Sequence, residues 1–242
     1  MTDCFVVGTD TGVGKTVISA GIVACLRGRG FDVGIAKPVQ SGAVTHDPDG
    51  DAWVLSTLSG VRDPLDSITP FAFPAPLAPL IAARLSGVDV ALDDVVLALD
   101  HLRARHTALV IEGAGGLHVP VGESWTIADL VCAVRSPVVI VARASLGTVN
   151  HTVLTIEALR ARGVDVVGVV LNGVRDDSSA TNASLIERIG DVRVIGELPL
   201  LDRRLTRERV RALAEQNLDV DTIVAKMALG TPSSSEKELS RG

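Results

Sequence analysis

The segment Gly8-Thr-Asp-Thr-Gly-Val-Gly-Lys-Thr16 constrains this chain more than any other. It follows a short apolar run and precedes an amphipathic stretch, so it reads as a strand, a glycine-rich loop and a helix start. That order is the context a phosphate-binding loop requires. Gly12 and Gly14 let backbone approach an anion closely. The backbone N–H groups from Thr11 to Thr16 can face phosphate oxygens, and the helix N-terminus adds its positive dipole end. Lys15 can reach the outer phosphates, and the Thr16 hydroxyl can ligate Mg²⁺. The usual spacing places a first glycine at position 9, where this chain has Thr9, with Gly8 one step earlier. A Gly-Lys-Thr sequence at a strand–helix junction outweighs that departure, against a chance glycine-rich turn.

The rest of the chain repeats the same alternation. Apolar runs predict strands at Cys4–Gly8, Val33–Lys37, Ala108–Glu112, Val138–Ala142, Val166–Leu171 and Val194–Ile195. Longer periodic stretches predict helices at Thr16–Arg29, Asp51–Ser59, Asp93–Arg105, Ile127–Val134, Val149–Arg162, Asn182–Ile189 and Thr206–Asn217. Alternation of this kind predicts one doubly wound α/β domain of P-loop type over residues 1–229, a mostly parallel sheet with helices on both faces. Two stretches break the rhythm: the polar loop Ser41–Gly50, and Pro64–Pro79, whose five prolines suit a surface loop shaping a site better than a helix. Residues 230–242, rich in Ser and mixed charge, predict a disordered tail.

Hydrophobic residues make up 47% of the chain and aromatics 2%, so the core must be Val, Leu, Ile and Ala, as in parallel strands covered on both faces. The net charge of -6 excludes a nucleic-acid binder that relies on a basic footprint. No apolar run approaches the roughly 20 residues needed to span a bilayer, and no basic and apolar leader precedes the first strand, so a cytoplasmic protein is expected. Cys4, Cys25 and Cys132 fit no metal spacing and read as reduced thiols inside elements. The run from His46 to Asp51 lacks the Gly and Glu positions of a calcium loop, holding Ala52 and Leu58 there. His101 and His106 read as solvent-facing, and His118 and His151 as near the site without a chemical role.

Further segments carry chemistry. Lys37 ends the second strand and is followed by Pro38, which places a cation beside the loop at the sheet's C-terminal edge. Glu112 ends another apolar strand, where P-loop proteins place a magnesium-related carboxylate. Asp51 heads a helix, a position suited to capping and to metal alike. Lys37-Pro-Val-Gln-Ser-Gly42, Glu112-Gly-Ala-Gly-Gly116, Leu146-Gly-Thr-Val-Asn-His151, Asn172 and Gly196-Glu-Leu-Pro199, taken with the loop, closely resemble the dethiobiotin synthetase family over roughly residues 1 to 201.

That resemblance implies an ATP-dependent cyclo-ligase of biotin biosynthesis, a homodimer acting on diaminopelargonate, CO₂ and ATP. The reaction it implies runs through a carbamate and a mixed carbamic-phosphoric anhydride. It assigns catalysis to Lys37 and Lys15, and Mg²⁺ to Thr16, Asp51 and Glu112. The nucleotide falls to Gly12, Val13, Gly14, Lys15, Thr16, Val17, Asp51, Glu112, Gly113, Ala114 and Gly115, with the base near Asn172, Gly173, Pro199, Leu200 and Leu201. Substrate falls to Thr11, Lys37, Ser41, Leu146, Gly147 and Asn150, with Leu146–Asn150 reaching into the partner subunit's site. Turn roles remain open for Ser41 and Asn172, and simple helix capping by Thr148 for the Leu146 segment. Relatives often carry Ser-Pro-His where this chain has Ala78-Pro79-Leu80.

Three rivals share the nucleotide loop. Partitioning and septum-site ATPases carry a second lysine where this chain has Asp10. Cobyrinate-type amide ligases need a glutaminase domain with a nucleophilic cysteine. A small-molecule kinase explains the loop but not the ordered set of motifs.

Overall fold

The computed structural model describes residues 2–199 and 205–230. Its centre is a six-stranded, all-parallel sheet of β1 (Cys4–Gly8), β2 (Val33–Ala36), β5 (Ala108–Gly116), β8 (Val138–Arg143), β9 (Val166–Gly173) and β10 (Val194–Pro199). The spatial order is β10-β9-β8-β1-β5-β2. Two-stranded additions pair β3 (Val39–Ser41) with β4 (Phe71–Phe73) and β6 (Pro120–Gly122) with β7 (Trp125–Thr126).

The strand residues alternate between two cores, which is why both faces need helices. Phe5, Val7, Leu109, Ile111, Val138 and Ile140 point to one side. There they meet α5 (Leu92–Arg103), α6 (Ile127–Val134), α7 (Thr148–Arg160) and α8 (Ser179–Gly190) through Leu99, Leu130, Leu159 and Ile186. Cys4, Val6, Val110, Val139 and Val141 point to the other. That face is closed by α1 (Lys15–Gly28), α2 (Asp51–Ser59), α9 (Arg207–Asn217) and α10 (Val220–Lys226) through Ile22, Leu55, Val210 and Ile223. No described helix is long and apolar enough to cross a membrane.

The chain leaves β1 towards β2 on one side and later returns to β8 on the other, so the sheet's winding reverses at β1. Ligands in open α/β sheets bind at the strand C-termini beside such a reversal, and β1 ends in the glycine-rich loop.

Every predicted strand and helix is present, and several are longer than predicted. The proline-rich stretch is not the uninterrupted loop expected. It holds α3 (Leu65–Ile68) and β4, and its last proline opens α4 (Pro79–Leu85). Proline is tolerated there because its missing N–H falls in the first helical turn, where no intrahelical acceptor exists. Cys4 and Cys25 are buried free thiols and Cys132 is only partly covered. His106 is a second correction. It is nearly enclosed, its ring held between Asp32 at 2.8 Å and Asp63 at 2.7 Å. The expected tail, and Leu200 and Leu201, lie outside the described residues apart from Gly230.

Candidate active site

The loop after β1 turns on two left-handed glycines, Gly12 at φ 73° and Gly14 at φ 94°, a conformation that side-chain-bearing residues reach only with strain. Gly14 is the N-cap of α1 and no side chain caps that helix. Its end is therefore a site for an anion rather than a closed terminus. Asn172, from the end of β9, donates its Nδ2 to the Val13 carbonyl at 2.9 Å and packs where a Gly14 side chain would stand. Gly8 resolves the altered spacing. A Cβ there would lie 2.7 Å from both the Asp10 carbonyl and Lys15 Nζ. The glycine one step early thus makes the room that Lys15 needs to fold back over the loop, where it donates to that carbonyl at 3.1 Å.

Beside the loop lies a cavity of about 710 Å³, lined by Thr11, Gly12, Gly14, Lys15, Thr16, Lys37, Ser41, Asp51, Glu112, Ala114 and Gly115. The loop after β1 with the first residues of α1, the loop after β2, the last residue of β3, the start of α2 and the second half of β5 supply these residues, so separate parts of the chain converge on it. At its floor, Thr16 Oγ1 donates to Glu112 Oε1 at 2.9 Å and to Asp51 Oδ1 at 3.1 Å. Lys37 Nζ donates to Glu112 Oε1 at 2.8 Å and to Asp51 Oδ2. Asp51 is the first residue of α2, with Gly50 as N-cap, and its carboxylate turns to Thr16 and Lys37. The capping alternative therefore does not hold in this conformation.

The two lysines differ electrically. Burial lowers the Lys15 pKa to about 8, against the raising influence of Glu112. Burial works the same way on Lys37, but the charges and hydrogen bonds of Glu112 and Asp51 outweigh it and raise the pKa. Burial pushes Asp51 up, but the Lys37 charge, the hydrogen bonds from Lys37 and Thr16 and the Lys15 charge together outweigh it, so its pKa is lowered. Lys37 is thus a cation at neutral pH, suited to stabilising charge rather than to accepting a proton.

Glu112 is fully buried, and among the described residues its Oε2 has no hydrogen-bond partner. A buried carboxylate oxygen without a partner is costly and points to a missing donor or cation. Among the described residues no three His, Cys, Asp or Glu side chains cluster as an ion site. Mg²⁺ does not require one, since it binds one or two carboxylates together with phosphates and waters. Thr16, Asp51 and Glu112 fit that partial set.

Several expected residues lie off the cavity lining. Val13 is buried beneath the loop, and Val17 is part of α1. Gly113 faces inward, where a Cβ would come within 3.1 Å of Phe5 and Ile127. Packing against those two side chains by itself requires a glycine there. Asn172 and Gly173 sit behind the loop, and Pro199 is exposed at the end of β10. Leu146, Gly147 and Asn150 line a separate groove between α7 and α8. The α7 N-cap is Gly147 without a side-chain cap, so Thr148 does not cap it. Pro76–Pro79 line the cavity, as the site-shaping proline stretch led one to expect, while Val119 and Pro120 carried no sequence signal of their own.

A family model described as an AAA domain matches residues 2–209. The chain is 39% identical over 228 residues to an ATP-dependent dethiobiotin synthetase of Bacillus subtilis subsp. natto, covering 93% of this chain and 98% of the relative. It is 50% identical over 202 residues to the one from Anaeromyxobacter dehalogenans strain 2CP-C, covering 82% and 90%. Among solved structures, a MinC:MinD cell division protein complex of Aquifex aeolicus shares the fold, at a TM-score of 0.56 and 14% identity over 97% of this chain and 99% of that one. That likeness concerns the fold alone. Identity to the synthetases extends over nearly the whole of both chains rather than over the nucleotide loop only, and on that ground the chain belongs to the dethiobiotin synthetase family.

Proposed function

We propose that the protein converts diaminopelargonate, CO₂ and ATP to dethiobiotin, ADP and phosphate. The observation that carries this reading is the convergence of Lys15 and Lys37 with the Thr16–Asp51–Glu112 oxygens on one cavity, in a chain of this family. One substrate amine adds to CO₂ and loses a proton, giving a carbamate. A carbamate oxygen attacks the γ-phosphorus, and the bond to the bridging oxygen breaks to release ADP. The second amine then attacks the carbonyl carbon of the mixed anhydride. The carbon–oxygen bond to phosphate breaks, a proton leaves the amine, and the ureido ring closes.

Carbamate and triphosphate are both anions and repel each other. Lys37, held cationic by two carboxylates, and Lys15, on the phosphate loop, offset that repulsion where the charge develops. Gly12–Val17 and Gly113–Gly115 frame the nucleotide in this reading, and Thr11, Ser41 and Lys37 the diamine. Thr16, Asp51 and Glu112 would hold Mg²⁺, which supplies further charge neutralisation at the phosphates when bound. Asn172 and Gly173, with Pro199, would flank the base.

The reading includes a homodimer in the cytoplasm. Leu146, Gly147 and Asn150 stand outside the cavity of their own chain, and Leu146 is 77% exposed. Both facts support their service to a second copy's substrate. The test is a product assay by mass spectrometry on diaminopelargonate, bicarbonate and Mg-ATP. Dethiobiotin formed by the parent and lost in Lys37→Ala is the expected result. Folded, nucleotide-binding protein that forms none overturns the reading.

A further inference from the structure

The connection Ala144–Gly147 between β8 and α7 has its backbone tied down from outside. The Ala144 N–H donates to the Asn172 carbonyl at 3.0 Å. The Ala144 carbonyl accepts from Asn182 Nδ2 at 2.8 Å and Ser179 Oγ at 2.9 Å. The Leu146 N–H donates to Asp176 Oδ2 at 2.9 Å. Every one of these partners comes from residues 172–182: the end of β9, the turn after it and the first turn of α8. Asn182 and Ser179 are buried, so the fastening is not a loose surface contact. The Leu146 side chain meanwhile projects outward.

A segment with a pinned backbone and an outward apolar side chain is shaped to meet something that is not its own core. We infer that Asp176, with Ser179 and Asn182, is a positioning device that holds the Leu146–Asn150 segment in the conformation that meets substrate. This rests on the proposed function, in which that segment takes diaminopelargonate bound to a second copy. Asp176 touches no substrate. Its Oδ1 accepts from the amide at 3.0 Å and the hydroxyl of Ser178, the N-cap residue of α8, and its Oδ2 alone reaches Leu146. One carboxylate therefore joins the start of α8 to the start of α7. Losing the Oδ2 contact frees a backbone amide just ahead of Gly147, which sits at φ 91° as the α7 N-cap and has nothing within 4 Å of a Cβ placed on it. Ala144 anchors the near side of that turn in the core, and past it the backbone is held by hydrogen bonds.

The test compares Asp176→Ala with Ser178→Ala, which removes the Ser178 hydroxyl from Asp176 Oδ1 and from Asn182 Nδ2 but leaves the Asp176 Oδ2 contact with the Leu146 amide in place. Asp176→Ala is expected to raise KM for diaminopelargonate about tenfold, the loss of one charge-assisted hydrogen bond, with ATP affinity unchanged. Ser178→Ala is expected to leave that KM in place. Equal KM changes in both variants, or none in Asp176→Ala, overturn the inference. Mixed dimers of Asp176→Ala and Lys37→Ala add a second arm. The site that keeps Lys37 then receives its Leu146 segment from the chain with Asp176 intact, so activity with the parent KM is expected. Activity only at the raised KM contradicts it. If the parent forms no dethiobiotin, the functional reading fails by itself. The fastening is then judged by amide exchange at Leu146, faster in Asp176→Ala if the inference holds and unchanged if it does not.

Discussion

The two ends of the central sheet carry similar charged groups and treat them in opposite ways. At the N-terminal end the networks are closed. Asp3 accepts from Arg103 Nε at 2.6 Å and from the Leu109 N–H at 2.8 Å. His106 lies between Asp32 and Asp63, and Asp165 pairs with Lys226 at 2.7 Å. At the C-terminal end Lys15, Lys37, Asp51 and Glu112 crowd together just as densely, yet among the described residues Glu112 Oε2 has no partner and Lys15 has only a backbone carbonyl. A completed network holds the fold, whereas an incomplete one holds room for a ligand. The same side-chain chemistry thus separates into stability at one end and function at the other.

The largest effect expected of this contrast comes from Glu112→Gln. The amide keeps the volume and one acceptor, and Lys37 keeps Asp51. Stability should therefore change little, because a buried carboxylate with a partnerless oxygen is also removed. Turnover should fall by about 10²- to 10³-fold, the scale seen when one preorganised electrostatic group is lost. Product formation and urea unfolding on the same sample check both halves. A protein that loses its fold and not its turnover breaks the comparison.

At the other end the balance should reverse. Asp3→Ala leaves Arg103 paired with Asp100 at 2.5 Å, but strips the buried Leu109 N–H of its acceptor at the start of β5. A loss of about 2 kcal/mol is expected, in line with two hydrogen bonds, one to a charged group. Urea midpoints measure it. kcat/KM should stay within about twofold, since the site lies at the opposite ends of the same strands.

How much of this was legible in the sequence depended on distance along the chain. The loop from Gly8 to Thr16 was readable because its chemistry is local: glycines, a lysine and a hydroxyl in register with a helix start. Lys37 was readable as a strand end, since parallel strands deliver such residues to one edge, and Glu112 was read as another although β5 runs on to Gly116. The closed networks were not. Asp3 and Leu109 meet across 106 residues, and His106 read as solvent-facing because nothing beside it in sequence announces Asp32 or Asp63. The packing demand on Gly113 was hidden for a related reason. A glycine demanded by Phe5 and Ile127 packing looks the same, in sequence, as one demanded by a phosphate. The α4 start at Pro79 was masked by counting prolines without regard to helix position.

Lys15 gives the smallest and most diagnostic effect, because its charge is the least supported at the open end. Burial sets its pKa at about 8, so in the free protein a large share is neutral at pH 8.5. A bound triphosphate favours the ammonium form, and binding at that pH should take up protons. Affinity for ATP should then fall as pH rises through about 8, by up to about tenfold at pH 9 relative to pH 7. Stability of the free protein carries the opposite sign. Between about 8 and 10.5 the unfolded chain holds this proton more tightly than the folded one, so the Lys15 contribution to stability rises with pH across that window. Calorimetry in buffers of different ionisation enthalpy counts the protons, with Lys15→Ala as the control that should take up none. Uptake that persists in Lys15→Ala would move the titrating group elsewhere and remove Lys15 from the open network.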